Sequence, residues 1–192
     1  MSELEKRVGL VHRVIVPDRD YPKEYAILIT DRRSIFIRQE KTRNSFALRG
    51  EMRYGTALVT DVVPKKLEDY EQASLESLAD DPQNISVPHE SVSSLVVQRG
   101  EPEFRWRDFF IWLTMRRQGH MFRVYDFELH YRLNKNLESQ VKFFLVPLGM
   151  YFKPKRQTQT RADILHDYAM EALRVYESVL SPSIVTKPDE KV

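Results

Sequence analysis

Apolar positions fall into short alternating or continuous runs over most of the chain, and into one helical stripe near its end. Residues 8–16 read as a first strand, ended by Pro17 and the polar Asp18-Arg19-Asp20, with Pro22 making the connection a turn. Residues 24–30 follow as a second strand. Tyr25, Ile27 and Ile29 fall on one face, Ala26 and Leu28 on the other, so this strand is expected to be central or covered on both sides. Asp31-Arg32-Arg33 makes a tight connection, and residues 34–39 return as a third strand.

The pattern breaks over residues 40–84. Gly50 and Gly55 interrupt a mixed stretch, and residues 57–63 form a further candidate strand. Residues 67–79 read as a helix with Leu67, Tyr70, Ser74 and Leu78 down one side. The whole segment is expected to be an insertion packed on the main sheet. Extended structure resumes at 85–87, followed by one turn at Pro88-His89-Glu90-Ser91 and a strand over 92–99 closed by Gly100 and Pro102. A long apolar segment, 104–116, reaches the turn candidate Gln118-Gly119.

Residues 120–133 alternate: Met121, Arg123, Tyr125, Phe127, Leu129, Tyr131 and Leu133 on one side, His120, Phe122, Val124, Asp126, Glu128, His130 and Arg132 on the other. That is the pattern of a half-buried antiparallel strand. Residues 140–146 form the last strand. The final element is a helix over 161–180. Thr160 is its candidate N-cap, Asp163 lies in its first turn, and Ser181-Pro182 stops it. Ile164, Leu165, Tyr168, Ala169, Ala172, Leu173, Tyr176 and Leu180 form its stripe. Burying such a stripe contributes about 1.5–3 kcal/mol per large side chain before entropy is subtracted, so this helix must dock on the sheet. Residues 183–192 are polar and are expected to be a flexible tail.

Composition narrows the picture. Apolar residues make up 42% of the 192, enough to bury a core. The net charge of +2 does not by itself point to nucleic acid. Absence of cysteine excludes disulfides, thiolate metal sites and a cysteine nucleophile. The first seven residues have no apolar stretch of the kind a secretory signal carries, and no apolar run is long enough to span a bilayer, so a cytoplasmic protein is expected. Asn84-Ile85-Ser86 matches the glycosylation triplet and is taken as a chance match.

The run Tyr25-Ala26-Ile27-Leu28-Ile29-Thr30-Asp31-Arg32-Arg33-Ser34-Ile35-Phe36-Ile37 resembles the strand–TDRR–strand hairpin of prokaryotic pleckstrin-homology-like (PH-like) and GRAM-like domains. Ile85-Ser86-Val87-Pro88-His89-Glu90-Ser91-Val92 resembles their next element, a short turn leading into a strand. The resemblance spans residues 8–39 and 85–180. It implies an α+β fold: an antiparallel PH-like barrel or strongly bent sheet of about seven strands, capped by a C-terminal helix. Residues 1–182 would form the domain, with 40–84 as a helical insertion. It also implies a scaffold that binds lipid headgroups, peptides or partner domains. The first hairpin loop, Pro17-Asp18-Arg19-Asp20-Tyr21-Pro22-Lys23, departs from phosphoinositide-binding members, because two acids offset its two bases.

Motifs for chemistry fail one by one. Gly50-Glu51-Met52-Arg53-Tyr54-Gly55-Thr56 has the glycine spacing of a phosphate loop without its lysine, so the phosphates lose their main countercharge. His120, Asp126, Glu128 and His130 share one strand face, and Glu128 and His130, two apart, could coordinate one divalent ion, against the plainer reading of a solvated strand face. No nucleophile elbow occurs. Arg105, Trp106 and Arg107 interleave bases with a ring, as single-strand RNA platforms do, although aromatics at strand spacing more often belong to core strands with edge arginines. Arg32-Arg33 and Arg116-Arg117 occupy expected turns and would make a basic rim if those turns share one end of the fold.

The expectation is therefore a non-enzymatic interaction module without cofactor or metal. Its partner would be a protein or a second copy, with an anionic membrane surface second, and Arg32, Arg33, Arg116 and Arg117 as partner-facing charges. The alternatives are a nucleic-acid binder using Arg105, Trp106 and Arg107, and an enzyme or ligand carrier with a pocket invisible in sequence.

Overall fold

The structure is a computed structural model describing residues 4–17, 23–39, 70, 73–99, 125–134, 137–145 and 161–188. Its strands are β1 (Arg7–Val16), β2 (Lys23–Thr30), β3 (Arg33–Arg38), β4 (Ile85–Pro88), β5 (Val92–Arg99), β6 (Tyr125–Asn134), β7 (Leu137–Leu145) and β8 (Val185–Thr186). The helices are α1 (Leu75–Asp80) and α2 (Arg161–Glu177), with 3-10 turns at His89–Ser91 and Pro182–Ile184.

The strands join in one sheet in the order β4-β3-β2-β1-β7-β6-β5-β8. Every neighbouring pair is antiparallel except β5 and β8, which run parallel. Among the described residues the ladder is open, not a closed barrel, and its two end strands are the shortest in the sheet, of four and two residues.

Alternation in the sequence translates directly into two faces. Tyr25, Ile27 and Ile29 of β2 enter the main core with Phe36 of β3 and Tyr125, Phe127, Leu129 and Tyr131 of β6. From α2, Ala169, Ala172, Leu173 and Tyr176 close that core, and Leu180 joins them just past its end. Leu28, Ile35 and Ile37 point the other way and form a second cluster with Tyr70 and Leu75, flanked by Leu10, Leu78 and Ala79. The double covering expected of β2 is thus realised, with α2 on one side and α1 on the other.

Two local devices let α2 sit close. Gly9 faces Val175, and a Cβ at Gly9 would lie 2.7 Å from Val175 Cγ1. A register shift between Val11 and Val14 takes His12 out of step with β2. The Tyr168 hydroxyl meets that irregularity, accepting the His12 N–H and donating to the His12 carbonyl, both at 2.7 Å.

Several boundaries differ from the sequence reading. α1 starts at Leu75 because Ser74, read as a stripe residue, is its N-cap: the Ser74 hydroxyl accepts the Ser77 N–H at 3.3 Å. β7 begins at Leu137, whose side chain is exposed, and the polar Glu138, Ser139 and Gln140 pair with the end of β6 without an apolar alternation to mark them. The expected flexible tail is ordered over 182–186, where the chain turns and lays β8 along β5. The expected strands at 57–63 and 104–116, the turn at 118–119 and the Thr160 cap lie outside the described residues, as do the side chains of Ile164 and Leu165.

Candidate functional site

Arg32 and Arg33 sit at the turn between β2 and β3, and the turn is built by Thr30. Its buried hydroxyl accepts the N–H groups of Arg32 and Arg33 at 3.2 and 2.9 Å and donates to Glu5 Oε1 at 2.6 Å. Short side chains that bond the backbone just downstream fix such turns. Asp31 ties the turn to the chain entering β1: its carboxylate accepts the Lys6 N–H at 2.9 Å.

Arg33, partly exposed, is held by Glu5. Its Nε donates to both Glu5 oxygens at 2.9 and 3.1 Å, and Nη2 donates to Oε2 at 2.6 Å. The Glu5 side chain is only 7% exposed. Hydrogen bonding to Arg33 holds the Glu5 carboxyl below its ordinary range, against the opposing effect of burial. Such forked pairs are the strongest ionic contacts geometry allows. Arg32 is exposed beside it. Arg116 and Arg117, the other half of the expected rim, and Arg105, Trp106 and Arg107 lie outside the described residues.

Beneath the turn is a polar joint that the sequence did not single out. Ser34, fully buried at the start of β3, lies 3.0 Å from His89 Nε2. His89 opens the connection between β4 and β5, and its N–H donates to the Arg32 carbonyl at 2.7 Å. Burial pushes the His89 imidazole down, outweighing the pull of Glu5 and Asp31 toward the charged form. Its Nδ1 makes no well-formed hydrogen bond. The Tyr176 phenol, from α2, approaches Ser34 without a bond of good geometry, and burial drives it far above its usual range. A serine beside a histidine is the start of a nucleophile–base pair. Ser34, however, is wholly enclosed, so its hydroxyl is placed to join β3, α2 and the β4–β5 connection and not to meet a substrate.

The second candidate was the outward face of β6. Asp126, Glu128 and His130 do line one side there, half-buried. Glu128 is engaged by two side chains: Lys142 of β7 at 2.7 Å and His130 at 3.6 Å. Burial, with Glu128 adding to it, pushes the Asp126 carboxyl up. Among the described residues, no group of three or more metal-ligating side chains converges. His120 lies outside the described residues. Asn84, of the glycosylation triplet, accepts the Arg38 N–H at 2.9 Å and donates to the Leu78 carbonyl at 2.8 Å, so its amide pins α1 to β3.

The third site is the β5 edge. β8 pairs there, Val185 opposite Leu95 and Thr186 opposite Val96. Ile184 and Val185 pack half-buried on the main core. Just beyond, Lys187 Nζ lies 2.6 Å from Glu177 Oε1 at the end of α2. Elsewhere on α2, the Tyr125 hydroxyl and His166 Nδ1 meet at 2.6 Å.

No family model matches the sequence, and no curated protein matches it. Among solved structures, the chain is similar to the hSac2 domain from human phosphoinositide phosphatase Sac2. The identity is 10% and the TM-score 0.44, covering 100% of this chain and 82% of that one. A likeness at that level carries nothing about ligand or activity. Among the described residues, no helix is long and apolar enough to cross a membrane.

Proposed function

We propose that the chain is a non-enzymatic interaction module on a PH-like frame, with a protein as its partner. The observation that carries this reading is the strand order. β1–β4 and β5–β7 form two antiparallel runs joined through β1 and β7, and one helix closes them, as the hairpin resemblance implies.

A bent sheet is favoured by the connection between β4 and β5. These strands lie six places apart in the order, about 29 Å in a flat sheet at ~4.8 Å per strand. Yet only His89–Ser91 link them, a span of at most about 15 Å. The contact of Phe36 and Phe143 argues the same way: their rings meet at 5.4 Å although β2 and β1 separate their strands.

A protein is preferred to an anionic membrane because of the charge at the β2–β3 turn. Lys6, Arg32 and Arg33 face Glu5 and Asp31 there, and Arg33 is already held by Glu5. Little net positive charge is left to attract lipid headgroups. The test compares wild type and Arg32→Glu as bait in low-salt cell extract, beside flotation with vesicles containing phosphatidylserine. A defined protein recovered by wild type and at least ten-fold less by Arg32→Glu, without flotation, is the expected result. Flotation with no protein recovered would overturn the choice of partner, and failure of both would remove the reading.

A further inference from the structure

We infer that the β5 edge is a docking groove for an extended strand of a partner protein, and that the chain's own segment 182–187 occupies it as a displaceable stand-in. This rests on the interaction-module reading and names where that partner sits.

The first support is topological. Among the described residues, removing β8 makes β5 an end strand of eight residues. The outer N–H and C=O groups of such a strand form a ready acceptor for another chain. β8 covers little of it, pairing only at Leu95 and Val96.

The second support is chemical, because the stand-in shows what the groove accepts. Val185 is β-branched, lies opposite the buried Leu95 and packs on the main core. Thr186 points to solvent. Lys187 reaches Glu177, whose carboxylate sits where α2 ends beside the groove. A cation there also complements the negative C-terminal end of the helix dipole. The groove therefore selects an extended segment with a β-branched apolar residue followed, two residues later, by lysine or arginine.

The third support is the weakness of the hold. A two-residue ladder, one exposed ion pair and two half-buried apolar side chains, Ile184 and Val185, are a small restraint beside a full strand pairing. A partner strand that pairs along more of β5 makes the same apolar and ionic contacts and adds backbone bonds, so it displaces the segment.

The cysteine-free sequence makes the test clean. Val96 and Thr186 are direct Cα partners, so Val96→Cys with Thr186→Cys locks the segment in place on oxidation. The probe is a fluorescein-labelled peptide with the sequence of residues 181–192, titrated by anisotropy. A chain ending at Leu180 should bind it at least ten-fold more tightly than the full chain. Glu177→Gln in the shortened chain should weaken binding several-fold. The oxidised double variant should bind nothing, and reduction should restore the behaviour of the full chain. Equal binding by oxidised and reduced forms overturns the inference, and so does a shortened chain that keeps its circular dichroism and ignores the peptide. Should the shortened chain not fold, the protein partner itself is offered to both redox forms of the double variant. Capture by the locked form equal to wild type removes the groove and leaves the module. No partner captured by any form removes the module.

Discussion

The two faces of the sheet are covered by unequal means. On one, the seventeen-residue α2 lays Ala169, Ala172, Leu173 and Tyr176 over apolar positions drawn from β1–β7. On the other, among the described residues, the six-residue α1 and Tyr70 cover Leu28, Ile35 and Ile37. Further along that same outward face the residues turn polar: Asp126, Glu128 and His130 on β6, with Lys142 on β7. Among the described residues, the difference teaches that the smaller layer sits over the apolar positions of β2 and β3 and not over the charged positions of β6. Covering the charged half would strip water from ions with nothing to repay it.

The first way to break this comparison is to open one hole in each face. Tyr176 is fully buried in the main core, and Tyr176→Ala should cost about 3–5 kcal/mol, as large aromatic truncations do. Leu75→Ala on the thinner layer should cost about 2 kcal/mol, the low end for leucine, because a short helix can settle into the space. Urea denaturation with an unchanged slope reads both. Equal losses would mean that α1 carries as much of the fold as α2 does.

Gly9 tests how closely α2 is seated. Val175 is β-branched and stiff, so it cannot swing away from a new Cβ at 2.7 Å. Gly9→Ala should destabilise by about 1–3 kcal/mol through overpacking. The same change with Val175→Ala should recover much of the loss. No recovery would place the cost in the backbone of β1 and not in the helix contact.

How far these layers could be read from sequence depends on how local their causes are. The faces of β2 and the alternation of β6 follow from side-chain period alone, and both were legible. The α2 stripe was legible for the same reason, and Tyr168, Ala169, Ala172, Leu173, Tyr176 and Leu180 do pack on the main core. Ser74 was misread because an N-cap and a stripe residue can share a position in a short amphipathic segment. β8 was invisible: two residues have no period, and their pairing depends on where the end of α2 delivers the chain. The partnership of Arg33 with Glu5 was equally hidden, since 28 residues separate them and only the register of β1 on β2 brings them together. Ser34 and His89 were unremarkable polar residues until the β4–β5 connection placed them side by side.

A smaller effect should follow from the cap of α1. Ser74→Ala leaves the Ser77 N–H without its side-chain acceptor, and losses of about 1 kcal/mol are usual for such changes. Hydrogen exchange should quicken through α1 and over Leu28 and Ile35 while the amides of α2 keep their protection. Faster exchange in α2 would show that the two faces open as one unit.

At neutral pH the last effect is absent, and acid brings it out. Burial holds the folded His89 imidazole below its ordinary value of 6.5. The unfolded chain therefore takes up this proton first, and it takes up more protons than the folded chain as pH falls through that value. Stability is full above about pH 6.5 and declines below it, until the folded imidazole is protonated as well. Glu5 adds a separate decline, because its carboxyl is depressed by Arg33 and its contribution is lost only below its ordinary 4.5. The Glu5 window opens only below 4.5, so the decline in denaturation midpoints that sets in just below pH 6.5 reports on His89 and not on Glu5. His89→Gln should flatten that slope and leave the acid limb below 4.5 in place. The comparison of faces predicts where the acid effect appears. His89 joins Ser34 beneath Tyr176, so hydrogen exchange at pH 5.5 should quicken first along α2 and the start of β3. Early loosening of α1 instead would mean that protonation acts through the outer layer, and that the polar joint does not anchor the helix-covered face.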